Sequence, residues 1–314
     1  MSQPINVLAM IHGMIPDAGP SSPYPTYNEF WNALCGSQPS LRGLISDRVY
    51  VQWGHDLPGL LPADLRPDQK LGPAQRFAGG VVSYTEVKTA PSRYNVIRGD
   101  FNSIVIPRSW GVQPLREGIV LRGLGDVMYY CSPEGERQVR RVVYEQILIA
   151  LNPFVDAEEV RLHLFGHSLG VALTHDFLYG LFAPEHEPDF VRDQQGSDEA
   201  VRLFVLWRQK AKDKKLRLGS LASAASQLPL FAMRKQKLVD KLAAQELLEP
   251  RVIGIEERGR VQWKIFYDVD DIFAFATRNL YKPSTAIMDI QVDCADWPPA
   301  AHTAYYLTLV TLWS

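Results

Sequence analysis

Val160-Arg161-Leu162-His163-Leu164-Phe165-Gly166-His167-Ser168-Leu169-Gly170 is the stretch that decides the fold. Residues 160–165 form a short apolar run bounded by glycine, the pattern of a buried strand. Leu169, Leu173, Phe177 and Leu181 then recur at helical spacing until Pro184. A strand entering a helix through Gly-His-Ser-Leu-Gly puts Ser168 on a tight turn, with glycines two residues to either side relieving the crowding.

Working outward, the chain alternates apolar runs with amphipathic ones. Val7–Ile11, Val49–Trp53, Leu216–Ala222 and Val261–Tyr267 read as strands. Ala286–Cys294 alternates strictly, as a half-exposed edge strand does. Thr26 with Glu29 reads as a capping box ahead of Phe30, Trp31 and Leu34. Ser132-Pro133-Glu134 opens a helix that Pro153 ends, and Leu230–Leu248 reads as a helix ended by Pro250. Residues 54 to about 131 are rich in Pro, Gly and Arg and read as an excursion, with Tyr94–Pro107 pairing as strands. Strand–helix alternation of this kind predicts an α/β fold. Its mostly parallel central sheet is flanked by helices on both faces and binds ligands at the carboxyl ends of the strands.

The 314 residues are 46% hydrophobic and 22% charged, ordinary globular usage that excludes a disordered or collagen-like chain. With 33 basic and 35 acidic side chains, nothing points to nucleic acid. Cys35, Cys131 and Cys294 lie far apart with no CxxC, which suits a reducing compartment. No apolar run reaches the roughly 18–20 residues a bilayer requires, and the start lacks a signal peptide's pattern. The expectation is a cytoplasmic protein folded as one domain over 1–314, with insertions at about 54–131 and 183–215 that form a cap over the site.

A bare GxSxG arises by chance in about one chain of this length in ten. Its strand–turn–helix context, and partners elsewhere in the chain, make Ser168 a candidate nucleophile. A serine hydroxyl attacks only when a base takes its proton. Of the seven histidines, His163, His167 and His175 fall within the strand, turn and helix around Ser168 and read as structural. His55 and His186 sit in loops, and His12 ends the first strand. His302 lies beyond the last strand, in a loop leading to an apolar helix, and is the candidate base. An acid must orient that imidazole. The strand Val261–Tyr267 delivers Asp268, Asp270 and Asp271, of which Asp271 is favoured because the chain turns apolar after it; Asp268 is the competitor. The cluster lacks calcium-loop spacing, and no HExxH or histidine cluster suggests zinc, so neither metal nor cofactor is expected.

The order Ser168, Asp271, His302 resembles the α/β-hydrolase superfamily, in particular its lipase and esterase members. Four places carry the likeness: Val7–Gly13 with its His-Gly, the Gly166–Gly170 elbow, the acid turn Phe266–Ile272, and His302. Leu218-Gly-Ser-Leu221 also resembles a Gly-Ser turn that follows the next strand in lipase-like members. Compared with larger members the chain begins at the oxyanion strand, so a smaller sheet is expected. The resemblance implies an α/β-hydrolase fold and a Ser168–His302–Asp271 triad. It also implies an oxyanion hole from the backbone N–H groups of Leu169 and Met14, and hydrolysis of carboxylic esters through an acyl-enzyme.

The substrate implied is a small-molecule or lipid ester. A thioesterase, lactonase or phospholipase would use the same triad, and a non-catalytic binding protein would use the same scaffold. Arg208–Arg217 carries six bases and one acid, which reads as a solvated face or as a peripheral contact for an anionic membrane or acidic substrate.

Overall fold

Ile5–Ile11 is β1, the strand around which the sheet is laid down. Strands β2 (Asp47–Val51), β3 (Val160–His167), β4 (Leu216–Ala224), β5 (Trp263–Tyr267) and β6 (Ile287–Gln291) join it in the order β2-β1-β3-β4-β5-β6. Every pairing is parallel. The computed structural model describes residues 3–13, 24–51, 53, 130–131, 133–184, 199–232, 240, 242, 244, 246–256, 261–296 and 298–313.

The central strands read as near-continuous apolar runs because helices cover both of their faces. On one face Met10, Tyr50, Phe165 and Phe266 pack beneath Tyr27, Phe30 and Trp31 of α1 (Tyr24–Ser37). Tyr305 and Leu309 of the last helix (Pro298–Trp313) complete that cluster. Side chains alternate along a strand, so Ala9, Ile11 and Leu164 point the opposite way, and all are buried. After the single-turn α2 (Leu41–Leu44), helices α3 (Pro133–Leu151), α4 (Leu169–Phe182) and α5 (Glu199–Lys212) gather around Tyr144, Phe177 and Phe204. Arg140 of α3 binds the Asp176 carboxylate of α4, and the Tyr144 hydroxyl donates to the same side chain at 2.9 Å. The short α6 (Leu228–Ala232) follows β4, and Pro298–Trp313 is α7. Among the described residues β6 ends the strand order, as expected, but its burial does not follow the expected alternation, since Ile287 is buried and Met288 exposed. Among the described residues no helix is long and apolar enough to cross a membrane.

Several expectations need correction. By contacts the chain falls into two units, Met1–Gly13, Ser22–Val51 and Arg140–Ser314 being the first and Met14–Ser21 and Gln52–Val139 the second. The expected strands at Tyr94–Pro107 lie outside the described residues, as does the cap drawn from 54–131 except for Tyr130 and Cys131. The 183–215 insertion is in part a regular layer element, because Ala200, Leu203, Phe204 and Trp207 of α5 are buried beside α4 and β4. The charges that α5 itself carries, Glu199, Arg202 and Lys212 among them, lie on the exposed side of an amphipathic helix. The α1 helix begins at Tyr24, so Thr26 and Glu29 lie inside it rather than forming a capping box. Proline has no N–H to lose in a first turn, and Pro25 carries the start upstream of Thr26.

The Gly-Ser pair 219–220 is not a turn at a strand end. It sits within β4 at a bulge, where pairing passes from Leu162↔Leu218 to His163↔Ser220. A Cβ on Gly219 would lie 2.5 Å from the His163 ring, so that histidine occupies the space. Of the expected helix 230–248, Leu230–Ala232 is helical as the end of α6 and Asp240 and Leu242 are helical, Ala244 is in a turn, and 233–239, 241, 243 and 245 lie outside the described residues.

Two histidines in this core shape its pH dependence. His175 of α4 packs among the Tyr179, Trp263 and Tyr281 rings, and burial pushes its pKa down to about 4. Burial, then repulsion from His302, pushes His167 down to about 3. Both are neutral when folded and protonate near pH 6.5 when unfolded, so the unfolded chain binds the extra protons. Their contribution is fully present above about pH 6.5 and is lost as pH falls toward the folded values, by roughly 1 kcal/mol per pH unit for each. Denaturant midpoints measured from pH 7 to 5 should fall accordingly, and His175→Phe should flatten part of that slope.

Candidate active site

Ser168 stands between β3 and α4 with φ 57° and ψ −128°, a backbone conformation that a residue bearing a Cβ rarely adopts. Such strain costs about 1–3 kcal/mol and persists only where the surroundings enforce it. The Ser168 N–H donates to the Ala224 carbonyl at 2.9 Å, tying the turn to the end of β4. Gly170 packs on the end of β1, where a Cβ would lie 2.2 Å from the Ile11 carbonyl oxygen. A Cβ on Gly166 would lie 3.0 Å from Val171 Cα and 2.8 Å from Thr174 Oγ1. Both glycines are therefore required by close backbone approach on either side of the serine.

The strand order explains why this turn is a site. The chain leaves β1 toward β2 on one side and resumes at β3 on the other, so β1 and β3 flank the switch point of the sheet. Their carboxyl ends carry His12-Gly13 and His167-Ser168. Gly13 lies against the serine so closely that a Cβ there would be 2.3 Å from Ser168 Cβ. The His12 ring nitrogen Nδ1 bonds the Gly13 carbonyl.

His302 reaches this turn from α7. Its Nδ1–H donates to the Asp271 carboxylate, 2.8 Å from Oδ2 and 3.0 Å from Oδ1. An ionised carboxylate only accepts, so that bond leaves Nε2 as the acceptor facing Ser168 Oγ at 2.9 Å. Ser168 and Asp271 are buried, and the His302 side chain is 14% exposed. Asp271 also accepts from the Phe273 N–H at 2.9 Å and from the Tyr305 hydroxyl at 3.1 Å. The Phe273 ring meets the imidazole edge-on, with centroids 5.5 Å apart.

Asp268, the alternative acid, does not engage His302. Its carboxylate accepts from the Asp270 N–H at 2.8 Å and the Cys294 N–H at 2.6 Å, which fastens the end of β5 to the segment after β6. Among the described residues, no three His, Cys, Asp or Glu side chains group as a metal site would require. Leu169 opens α4, where its N–H has no carbonyl of the helix to bond. Met14, expected as the second oxyanion donor, lies outside the described residues.

His302 is not in a loop: α7 begins at Pro298 and carries the histidine in its second turn. Proline is preorganised for the first helical position, the start signal that the sequence reading passed over. Tyr305 was also missed. One turn along α7 from His302, it lies on the same face of the helix. Its hydroxyl accepts from the Asp268 N–H at 2.8 Å while donating to Asp271. Burial, and then the charge of Asp271, hold its pKa well above the usual range. His167 adds a further tie, its Nε2–H donating to the His302 carbonyl at 2.9 Å. Searches of protein-family models and of curated proteins find no match to this chain.

Tyr305→Phe leaves the Asp268 N–H without its acceptor and Asp271 without one donor. The expected loss is about 1–3 kcal/mol of stability, read from denaturant unfolding. A Phe variant as stable as the parent would show that neither bond matters to the fold.

Proposed function

We propose that the protein is a serine hydrolase that cleaves carboxylic esters on an α/β-hydrolase type of fold. The observation that carries this reading is His302, which bonds Ser168 Oγ through one ring nitrogen and the buried Asp271 carboxylate through the other. The strained strand–turn–helix at Ser168, its place at the switch point, and the chain order Ser…Asp…His support it. Three cysteines joined by no disulfide support a reducing, cytoplasmic setting.

The chemistry follows from the geometry. Ser168 Oγ attacks the ester carbonyl as its proton passes to His302 Nε2, and Asp271 stabilises the imidazolium through Nδ1–H. The oxyanion is met by the Leu169 N–H at the start of α4 and, as the resemblance implies, by the Met14 N–H. Each such donor contributes about 3–4 kcal/mol to the transition state. The carbonyl re-forms as His302 returns the proton to the departing alcohol, leaving an acyl ester on Ser168. Water, deprotonated by His302, then releases the acid and restores the serine.

Initial rates on p-nitrophenyl esters, an acyl thioester, a lactone and a phospholipid test the reading. We expect turnover of carboxylic esters, with Ser168→Ala and His302→Asn each lowering kcat by about 10⁴–10⁶-fold. Asp271→Asn should cost about 10⁴-fold, because the imidazole then adopts the wrong tautomer. Ester turnover that survives Ser168→Ala would exclude this mechanism.

A further inference from the structure

We propose that a cleft at the amino edge of the sheet is a binding site for an organic phosphate. The cleft has a volume of about 590 Å³, within the usual range for small-molecule sites. Arg161 enters it from the second position of β3 and Arg217 from the second position of β4. Lys212 ends α5, Lys214 follows it with φ 60°, and Arg251 comes from the short helix Pro250–Ile253. Four separate segments thus bring five cations to one cavity. Among the described residues two acids line it, Glu159 and Glu256, in a chain whose net charge is −2.

Ordinary explanations cover part of this set. A lysine in the last turn of α5 suits the helix dipole, and Arg161 bonds Glu159 at 2.6 Å. They do not cover the meeting of Arg217 with Arg251 from different elements: among the described residues Arg217 spends its Nε on the Lys214 carbonyl at 3.2 Å, while Arg251 faces the charge of Glu249. Guanidinium groups converging on a pocket are suited to phosphate, whose oxygens match their paired N–H donors. The wall is apolar where Phe182, Leu218 and Ile255 line it. Gly254, at φ 81°, leaves room for the Phe182 ring, which a Cβ would meet at 2.8 Å. The cleft therefore offers an anionic group several positive charges and its carbon skeleton an apolar surface.

This site is separate from Ser168. Arg161 and Ser168 stand seven positions apart along β3, about 23 Å at a strand rise of about 3.3 Å per residue. The inference stands whether or not Ser168 is a nucleophile. It also gives Lys212, Lys214 and Arg217 of the basic run Arg208–Arg217 a role that sequence alone left between a solvated face and an anion-binding one.

Calorimetric titration of the full chain with inorganic pyrophosphate and with a nucleoside diphosphate tests the soluble source. Co-sedimentation with phosphatidylcholine vesicles, plain or carrying about 10% phosphatidylinositol 4-phosphate, tests a lipid headgroup. We expect saturable binding in one arm or both, weakened by salt, and weakened about tenfold or more by Arg217→Gln with Arg251→Gln. Exposed Arg251→Gln alone should weaken it measurably while circular dichroism stays unchanged. Arg202→Gln, which removes a charge from α5 outside the cleft, should leave it unaltered. Binding in neither arm, or equal weakening by Arg202→Gln, overturns the proposal.

Discussion

The backbone of Ser168 is held in a conformation its own chemistry disfavours, and the arrangement of the rest follows from what holds it there. On one side its N–H is bonded to the last residue of β4. On the other, Gly170 lies against the carbonyl oxygens of Ile11 and His12, at distances that admit no side chain. These contacts fix how far α4 stands from β1, and hence where the carboxyl edge of the sheet opens. The strain of a positive φ at serine, about 1–3 kcal/mol, is small beside the burial of α4, whose Leu169, Leu173, Phe177 and Leu181 are all nearly inaccessible. A strained turn survives because the elements it joins are too well packed to relax.

The second organising contact is the arrival of α7. One helix brings His302 to the serine and Tyr305 to the acid turn, while His167, next to the serine, holds the His302 carbonyl. Ser168, His302 and Asp271 come from three distant segments, yet each is tied to at least one of the others through a neighbour. Asp268 and Asp271 show how local bonding separates two like carboxylates. Asp268 is saturated by backbone N–H groups and fastens β5 to the chain after β6. Asp271 receives one backbone N–H, one hydroxyl and the imidazole, so its charge is directed at His302. In the proposed hydrolase the first is a brace and the second orients the base.

Much of this was legible from residue pattern alone, for identifiable reasons. The elbow was readable because a strand period and a helical period meet at a glycine-flanked serine. The strand β6 was readable from its period-two alternation, although Ile287 is buried and Met288 exposed, the reverse of the faces that alternation suggests. Asp271 outranked Asp268 on the apolar residues that follow it, and the N–H donors that occupy Asp268 come from residues 270, 294 and 295, the last two invisible to a local reading. What failed were boundaries and context. Thr26 and Glu29 match a capping box, but Pro25 begins the helix earlier. Gly219 resembles a turn, yet it exists to accommodate the His163 ring across a bulge. The charges of 183–215 masked the buried face of α5. Tyr305 required knowing that α7 already begins at Pro298, which turns a three-residue spacing into a shared face.

Intact-protein mass after brief exposure to a fluorophosphonate, followed by mapping of the modified peptide, tests the central claim most directly. An activated serine reacts rapidly while ordinary hydroxyls do not. The account predicts a single adduct, on Ser168, formed rapidly in the parent and only slowly in His302→Asn. A folded protein that takes no label, or takes it at another residue, would contradict the assignment of Ser168 as the nucleophile.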